Sequence, residues 1–272
     1  MFFRKQDSQR MDLEASKAGS VSAPPGLPPQ ANPFGVADPA KTEAVKRKAE
    51  EILESGRIPD CLFLCGVGNG ILTLVGGPRE KPVLLLFSTV FAAADYLRAT
   101  GAKGTPIQLK AENLPRFAQS WAGIGVRWAA LDRCPRCPQN PCLTVALEPM
   151  TKWTAEDFAK LWAGHRAARL VLGEIRVRSA MQHKTAGDHA AALIDLEYVR
   201  DHFDCGVPYL HQMIWLYAAN DESARRTAAD RLKEFGQEFD IPAEPSAKTL
   251  SQFMATAMVG LLAYFGILNT KP

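Results

Sequence analysis

Lys81–Phe87, with the sequence KPVLLLF, is the stretch that decides the fold of the first half of the chain. A continuous apolar run of this length is typical of a strand that is buried on both faces in the middle of a sheet. Ser88 follows as a predicted N-cap, and the helix after it carries Phe91 and Leu97 on one side. A buried strand followed at once by an amphipathic helix indicates an α/β arrangement.

Further strands are predicted on both sides of this stretch. Cys61–Val67 and Ile71–Val75 are joined at Asn69-Gly70, which is a strong hairpin signal. Towards the C-terminus the predicted strands are Pro106–Leu109, Val126–Leu131 and Leu143–Leu147. Helical segments alternate with these strands, and the sequence therefore predicts a mixed sheet flanked by helices.

After Thr151 the pattern becomes wholly helical. Thr154 and Asp157 resemble the two ends of a capping box, and apolar residues follow at helical spacing. Later helices are predicted over 187–203, over 208–219 and after the cap at Asn220-Asp221. Because each helix has one apolar stripe, we expect these helices to pack as a bundle.

The fold class predicted from these patterns is an α/β (α+β) N-terminal domain, with a mixed sheet flanked by helices, followed by an all-α helical bundle domain. Residues 1–38 are predicted to be a disordered N-terminal tail, because Ser20–Pro39 is rich in Pro, Ala, Gly and Ser. The α/β domain is placed at 39–150 and the helical domain at 151–272.

Composition narrows the class of protein. Apolar residues make up 47% and charged residues 22% of the 272 residues, which excludes wholesale disorder. A formal net charge of +3 is too small to argue for a polyanion as partner. Met1–Asp7 holds two aromatics followed by charges and predicts no secretory signal. We therefore expect a cytoplasmic protein whose six cysteines are thiols or metal ligands.

Two stretches of the α/β part are similar to a known family. Val83–Thr89 is an apolar strand that ends in Phe-Ser-Thr, and the alanine-rich stretch Phe91–Ala94 follows it. Gly125–Leu131 looks like the approach of a later strand. Because of these two stretches, residues 82–147 resemble the N-terminal domain of the SseB protein family, whose members are small bacterial α/β modules. In that family the last strand of the pattern carries an Asn-Pro pair. In this chain a cysteine-rich loop stands in its place. The resemblance implies an interaction or regulatory module and carries over no catalytic residue.

That loop contains the cluster of residues that most strongly suggests a specific chemistry in this sequence. Cys134, Cys137 and Cys142 lie within ten residues that also include three prolines, and tight turns of this kind aim thiolates at a metal. The set predicts a zinc site that is one ligand short, with the fourth ligand coming from a distant cysteine or histidine. The alternative is a proline-stiffened loop whose cysteines are idle thiols or a redox-labile pair.

Other residues support weaker expectations. Cys61 and Cys65 share one face of a strand and are expected to pack as small hydrophobes. His165 lies on an apolar helical stripe and is expected to be a hydrogen-bonded core residue. The arginines Arg166, Arg169, Arg176 and Arg178 are interpreted as a solvated helix face and not as a nucleic-acid surface. The apolar C-terminal helix, residues 250–268, is expected to be buried, with a tail anchor as the minor alternative.

The function expected from all this is a non-enzymatic cytoplasmic protein-interaction or regulatory module of the bacterial SseB-like type. Its partner is expected to be a protein, with the contact in the groove between the domains or near Trp215 and Tyr217. The alternative is a zinc-stabilised nucleic-acid-binding protein that uses the 134–142 loop. No catalytic residue and no cofactor other than zinc is predicted.

Overall fold

The structure, a computed structural model, describes residues 39–75, 82–135, 143–242 and 246–267. Within these ranges the chain forms nine α-helices and seven β-strands. The strands are β1 (Cys61–Val67), β2 (Gly70–Ile71), β3 (Thr73–Val75), β4 (Pro82–Leu86), β5 (Thr105–Lys110), β6 (Trp128–Leu131) and β7 (Leu143–Ala146). The helices are α1 (Pro39–Glu54), α2 (Val90–Thr100), α3 (Leu114–Gly123), α4 (Leu147–Met150), α5 (Ala155–Thr185), α6 (His189–His202), α7 (Pro208–Tyr217), α8 (Glu222–Leu232) and α9 (Ala247–Tyr264).

The strands form two small sheets that meet at one point. One sheet has the order β3-β4-β6-β7, in which β4 and β6 are parallel and the other pairs are antiparallel. The other has the order β2-β1-β5 and is antiparallel. Phe63 of β1 and Phe87 after β4 exchange backbone hydrogen bonds of 2.8 and 2.9 Å. The predicted mixed sheet is confirmed, with the apolar run in β4 lying between β3 and β6. The predicted strand Ile71–Val75 is instead divided between the two sheets, with Ile71 in β2 and Thr73–Val75 in β3.

The two faces of the sheet bury different partners. On one face α2 packs against strand residues that point to the same side; this cluster comprises Cys65, Leu85, Phe87, Ala93, Tyr96, Leu97 and Ala130. The opposite face packs against α3, α4 and the start of α5, and its buried strand residues include Leu62, Leu64, Leu84, Leu86, Ala129 and Leu131. Helices therefore flank the sheet on both sides, as predicted.

The start of α2 differs from the prediction by one residue. Thr89, and not Ser88, is the N-cap: its backbone is extended, and its hydroxyl accepts a hydrogen bond of 3.1 Å from the N–H of Ala92. Ser88 instead donates its own N–H to the carboxylate of Asp132 at 2.8 Å. The capping prediction was wrong because that long-range contact holds Ser88 at the end of the strand.

Helix α5 runs for 31 residues and contributes to two cores. The predicted capping box is confirmed, since Thr154 and Asp157 each accept a hydrogen bond from the other's backbone N–H. Near its start, Phe158 is buried against the sheet. Near its end, Val177 and Ala180 are buried among the later helices. The division of the chain at residue 150 stays a prediction, because α5 serves the cores on both sides of it.

The later helices enclose the second core, as the predicted helical region requires. Its buried residues include Leu196, Leu210, Met213, Ile214, Ala257 and Leu261. Two glycines let α9 approach its neighbours: a Cβ atom at Gly173 of α5 would lie 2.5 Å from the ring of Phe265, and one at Gly260 would lie 2.6 Å from the ring of Tyr209. The expectation of a packed helix over 250–268 is confirmed as far as Tyr264, where α9 ends, with Ala257 and Leu261 as its buried residues. Over the described ranges, no helix combines the length and the apolar character needed to cross a membrane.

Candidate functional site

The most concentrated polar cluster lies where the parallel strands β4 and β6 end. Ser88 follows β4 and Asp132 follows β6, so both stand at the carboxyl edge of the sheet, which is the usual ligand position in α/β folds. Asp132 is the one described residue other than glycine with a positive φ, of 51°. Asp and Asn tolerate this left-handed conformation better than most residues do.

Three donors surround the carboxylate of Asp132, whose side chain is only 1% exposed. Oδ1 accepts from the N–H of Ser88 at 2.8 Å, and Oδ2 lies 2.7 Å from Nε2 of His165 and 3.2 Å from Nη1 of Arg169. Burial by itself would raise the pKa of Asp132, but the Arg169 guanidinium and the His165 hydrogen bond hold that pKa well below its usual range. Asp132 is therefore a buried, fully paired anion.

His165 lies on α5 with its ring almost entirely buried. Burial lowers its pKa, and the neighbouring Asp132 only partly opposes this effect. The imidazole is thus neutral at neutral pH, and because a carboxylate can only accept, Nε2 is the protonated ring nitrogen. The expectation of a hydrogen-bonded core histidine is confirmed.

The same stretch of α5 contacts the turn after α6 and the end of α9. Arg169 also donates from Nε to the carbonyl of Phe203. Arg166 pairs with Asp204 and contacts the hydroxyl of Tyr264, which in turn donates to Asp204 Oδ2 at 2.5 Å. We call this set of side chains the junction network; it comprises Asp132, His165, Arg166, Arg169, Asp204 and Tyr264. This network ties the sheet to the helical region through side chains of α5.

A second set of contacts joins α2 to the end of α8 and to the turn that follows it. Arg231, almost fully buried, donates to the carbonyl of Phe91 at 2.7 Å, and the rings of Phe91 and Phe235 have centroids 4.6 Å apart. Arg98 of α2 pairs with Glu234. The groove that the sequence suggested between the two halves is therefore lined at these points by paired charges and packed rings.

This arrangement is more suited to holding the fold together than to chemistry. In α/β proteins the carboxyl edge of parallel strands usually opens into a ligand crevice. Here the side chains of α5 occupy that position, and Asp132 and His165 are bonded to each other. The carboxylate of Asp132 and the imidazole of His165 are therefore committed to each other and to Arg169.

The predicted zinc ligands lie only partly within the described residues. Cys134 is half-buried in the loop that follows Asp132, whereas Cys137 and Cys142 fall outside the described ranges. Among the side chains that the structure describes, no three His, Cys, Asp or Glu residues are grouped so that they could hold a metal ion. The zinc site, and the nucleic-acid-binding function built on it, stay predictions.

The cysteines that might have supplied a distant fourth ligand are buried. Cys61 and Cys65 lie in β1, and Cys65 packs beneath α2 with its sulfur 3.5 Å from the carbonyl of Ala93. Burial raises the pKa of Cys65 to about 12 and that of Cys205 to about 12 as well. The expectation that Cys61 and Cys65 pack as small hydrophobes is confirmed, and the high pKa values make Cys65 and Cys205 poor nucleophiles.

The basic stretch of α5 is not a solvated face throughout, so that part of the interpretation was wrong. Arg166 and Arg169 are largely buried in the junction network, because each forms an ion pair with a buried carboxylate. Arg166 pairs with Asp204, and Arg169 pairs with Asp132. Arg176 pairs with Asp195 at 2.9 Å, and Arg178 pairs with Glu174 at 2.8 Å. All four guanidiniums are engaged within the chain.

The aromatic surface predicted near α7 is also largely buried. Tyr217 is 7% exposed, packed in the helical core. Trp215 is half-buried between the guanidinium of Arg225, 4.5 Å from its ring, and the edge of Phe253. Tyr217 is thus unavailable to a partner, because residues two apart on a helix face different sides and Tyr217 faces the core.

The structure exposes a different tryptophan. Trp128 stands at the start of β6 and is 47% exposed, although β6 lies between β4 and β7. In the strand register it is paired with Val83 of β4 and Ala146 of β7, which are half-buried on the same face. Helix α2 covers the other end of this face, over Leu85 and Ala130. Val83, Trp128 and Ala146 form the Trp128 surface.

Neither the junction network nor the Trp128 surface was found from the sequence. The position of Asp132 directly after a predicted strand is the signal that could have suggested the first. For the second, alternation places Trp128 on the face of Ala130, but it cannot tell how far α2 reaches.

With this geometry established, the chain was compared with known proteins. The comparisons with family models, with curated proteins and with solved structures each found no match for it.

Proposed function

We propose that the chain is a non-enzymatic, cytoplasmic protein-interaction module of the SseB-like regulatory type, and that it binds its partner protein through the Trp128 surface. The observation that carries the proposal is that Trp128, a tryptophan in an inner strand, is 47% exposed. The face of a sheet is normally covered by another layer, and tryptophan is enriched at the energetic centre of protein interfaces.

The polar clusters stabilise the fold through contacts within the chain. Binding is therefore assigned to the exposed Trp128 surface. Asp132, His165 and Arg169 are committed to contacts within the chain. Cys205 and Cys65 are buried thiols, which is the state expected in a reducing compartment. These contacts favour an interaction protein over an enzyme and are consistent with a cytoplasmic location.

Strand addition at β5 is a less suitable mode of binding. Phe63 bonds to Phe87 on the side of β1 that faces away from β5, so its partner Gln108 belongs to a pair without hydrogen bonds between β1 and β5. The backbone groups of Pro106, Gln108 and Lys110 therefore face away from β1. Proline has no N–H, and placing it at an outward position is a common way to discourage strand pairing.

The size of the effect follows from the exposed area of Trp128. A buried tryptophan side chain removes up to about 250 Å² from water, so the exposed half corresponds to roughly 100 Å². At about 25 cal/mol per Å², covering it would contribute about 2.5 kcal/mol to binding. Replacing Trp128 with alanine should then weaken binding on the order of fiftyfold in Kd.

The test compares Trp128→Ala with Ile194→Ala, which removes another exposed apolar side chain, on α6. Both variants are first checked for the wild-type circular dichroism spectrum and unfolding midpoint. A partner that copurifies with the wild type is then identified, purified and titrated calorimetrically against all three proteins. The expected result is a Kd that rises on the order of fiftyfold for Trp128→Ala and stays within about twofold for Ile194→Ala.

Two outcomes would count against the proposal. A partner that binds Trp128→Ala as tightly as it binds the wild type would remove the Trp128 surface as the docking site. Turnover of a substrate by the purified chain, without any partner that depends on this surface, would replace the interaction function by an enzymatic one.

A further inference from the structure

The junction network is charge-balanced only while His165 is neutral. It holds two carboxylates, Asp132 and Asp204, and two guanidiniums, Arg166 and Arg169, and none of these side chains is more than 18% exposed. The formal charges therefore sum to zero. A proton on His165 would leave one unbalanced positive charge in a region that water screens poorly.

The position of that proton is fixed by the existing hydrogen bond. Nε2 of His165 already donates its hydrogen to Oδ2 of Asp132, so a further proton has to add at Nδ1. The charged groups that act on the imidazole are Asp132 at the end of β6 and Arg169 and Arg166 on α5. Asp204, in the turn after α6, and Tyr264, on α9, contact Arg166 and so lie one step further from the ring. Of the groups in direct contact with the ring, Asp132 alone favours the charged form, and its Oδ2 is already shared with Arg169.

We infer that His165 is a proton-sensitive joint between the sheet and the helical region. With a neutral ring, α5 holds the 203–206 turn through the carbonyl of Phe203 and the carboxylate of Asp204. Protonation at Nδ1 adds a positive charge beside Arg166 and Arg169. Repulsion between the imidazolium and these two guanidiniums weakens the contacts by which they hold the 203–206 turn and Tyr264.

The sign of the pH dependence follows from burial. Burial lowers the pKa of His165 below its ordinary value of about 6.5, and the pull of Asp132 does not compensate. The unfolded chain therefore takes up this proton at a higher pH than the folded chain. The stabilisation is complete above about pH 6.5 and decreases as the pH falls, by up to tenfold in the unfolding constant for each pH unit.

The test uses His165→Gln, because glutamine can still donate to Asp132 and does not take up a proton in this range. Unfolding constants from urea titrations between pH 7.5 and 5.0 are compared for the wild type, His165→Gln and His189→Gln. His189 is an exposed imidazole on α6 and serves as the matched control. Burial also lowers the pKa values of His202, which is half-buried, and of His211, which is fully buried. The test therefore measures the difference in slope between the variants and not the slope itself.

We expect the unfolding constant of His165→Gln to depend less steeply on pH than that of the wild type. The difference between the two should reach up to tenfold per pH unit, and the unfolding constant of His189→Gln should change with pH as that of the wild type does. In nuclear magnetic resonance spectra of the wild type, the amides of 203–206 and of Tyr264 should shift with the midpoint of the His165 ring. An unchanged slope in His165→Gln would overturn the inference. Should that variant not fold, the wild-type spectra decide alone: a ring midpoint at or above pH 6.5, or turn amides that ignore it, would also overturn it.

Discussion

Replacing Gly173 by alanine is expected to destabilise the protein, whereas the same replacement at Gly164 on the same helix is expected to stabilise it. A Cβ atom at Gly164 meets no other atom within 4 Å. A Cβ atom at Gly173 would lie 2.5 Å from Cε1 of Phe265, whose ring is buried against α5. The two sites thus share a helix and a substitution and differ in what the new methyl group meets.

The magnitudes can be worked out from these contacts. In a helix interior alanine is favoured over glycine by about 1 kcal/mol, and this gain applies at both positions. At Gly173 the ring must retreat by roughly 1 Å or leave its place, which costs about 2–3 kcal/mol in overpacking or lost burial. We therefore expect Gly164→Ala to be about 1 kcal/mol more stable than the wild type, and Gly173→Ala to be about 1–2 kcal/mol less stable.

Urea unfolding followed by far-ultraviolet circular dichroism measures both values, and the unfolding midpoints in a thermal scan should differ by roughly 5–10 °C. In a Phe265→Leu background the smaller side chain should make the alanine at Gly173 less costly, which a double-mutant cycle detects. If Gly173→Ala is as stable as Gly164→Ala, the ring of Phe265 does not rest on this glycine and the packing described for α9 is wrong.

Two further substitutions test the sheet. Asp132→Asn should lower the free energy of unfolding by about 3–5 kcal/mol, because Arg169 stays buried without its counter-ion. Asparagine tolerates the positive φ of this position, so backbone strain does not account for the loss. A loss below about 1 kcal/mol in urea unfolding would contradict a buried ion pair there. Gly104→Ala should cost about 3 kcal/mol or more, because its Cβ atom would lie 2.1 Å from the carbonyl oxygen of Gly66, which as backbone cannot move aside. Gly123→Ala, where the Cβ atom meets nothing within 4 Å, is the control, and equal stability of these two variants would refute the close approach of β1 and β5.

Those parts of the fold that depend on neighbouring residues could be predicted from the sequence. The apolar run before Ser88 indicates an inner strand, and Asn69-Gly70 indicates the turn between β1 and β2. The capping box of Thr154 and Asp157 marks the start of α5. Each of these signals acts within a few residues, so no knowledge of the tertiary structure is needed to interpret them.

The candidate site depends on contacts that no local pattern encodes. His165 lies 33 positions from Asp132, and Tyr264 lies 60 positions from Asp204. Such pairs are set by how α5 crosses the end of the sheet. The exposure of Trp128 likewise depends on where α2 stops covering the face, which the strand's own sequence does not contain.

The sharing of α5 has a consequence for synthesis on the ribosome. Phe158 closes the core beneath the sheet, yet it comes after the last strand, β7. When the first 150 residues have left the exit tunnel, α3 and α4 can cover only part of this face of the sheet, because the start of α5 is still inside the tunnel. Domains generally fold as units during translation. Apolar surface on this face therefore stays open to aggregation until α5 emerges and packs against it.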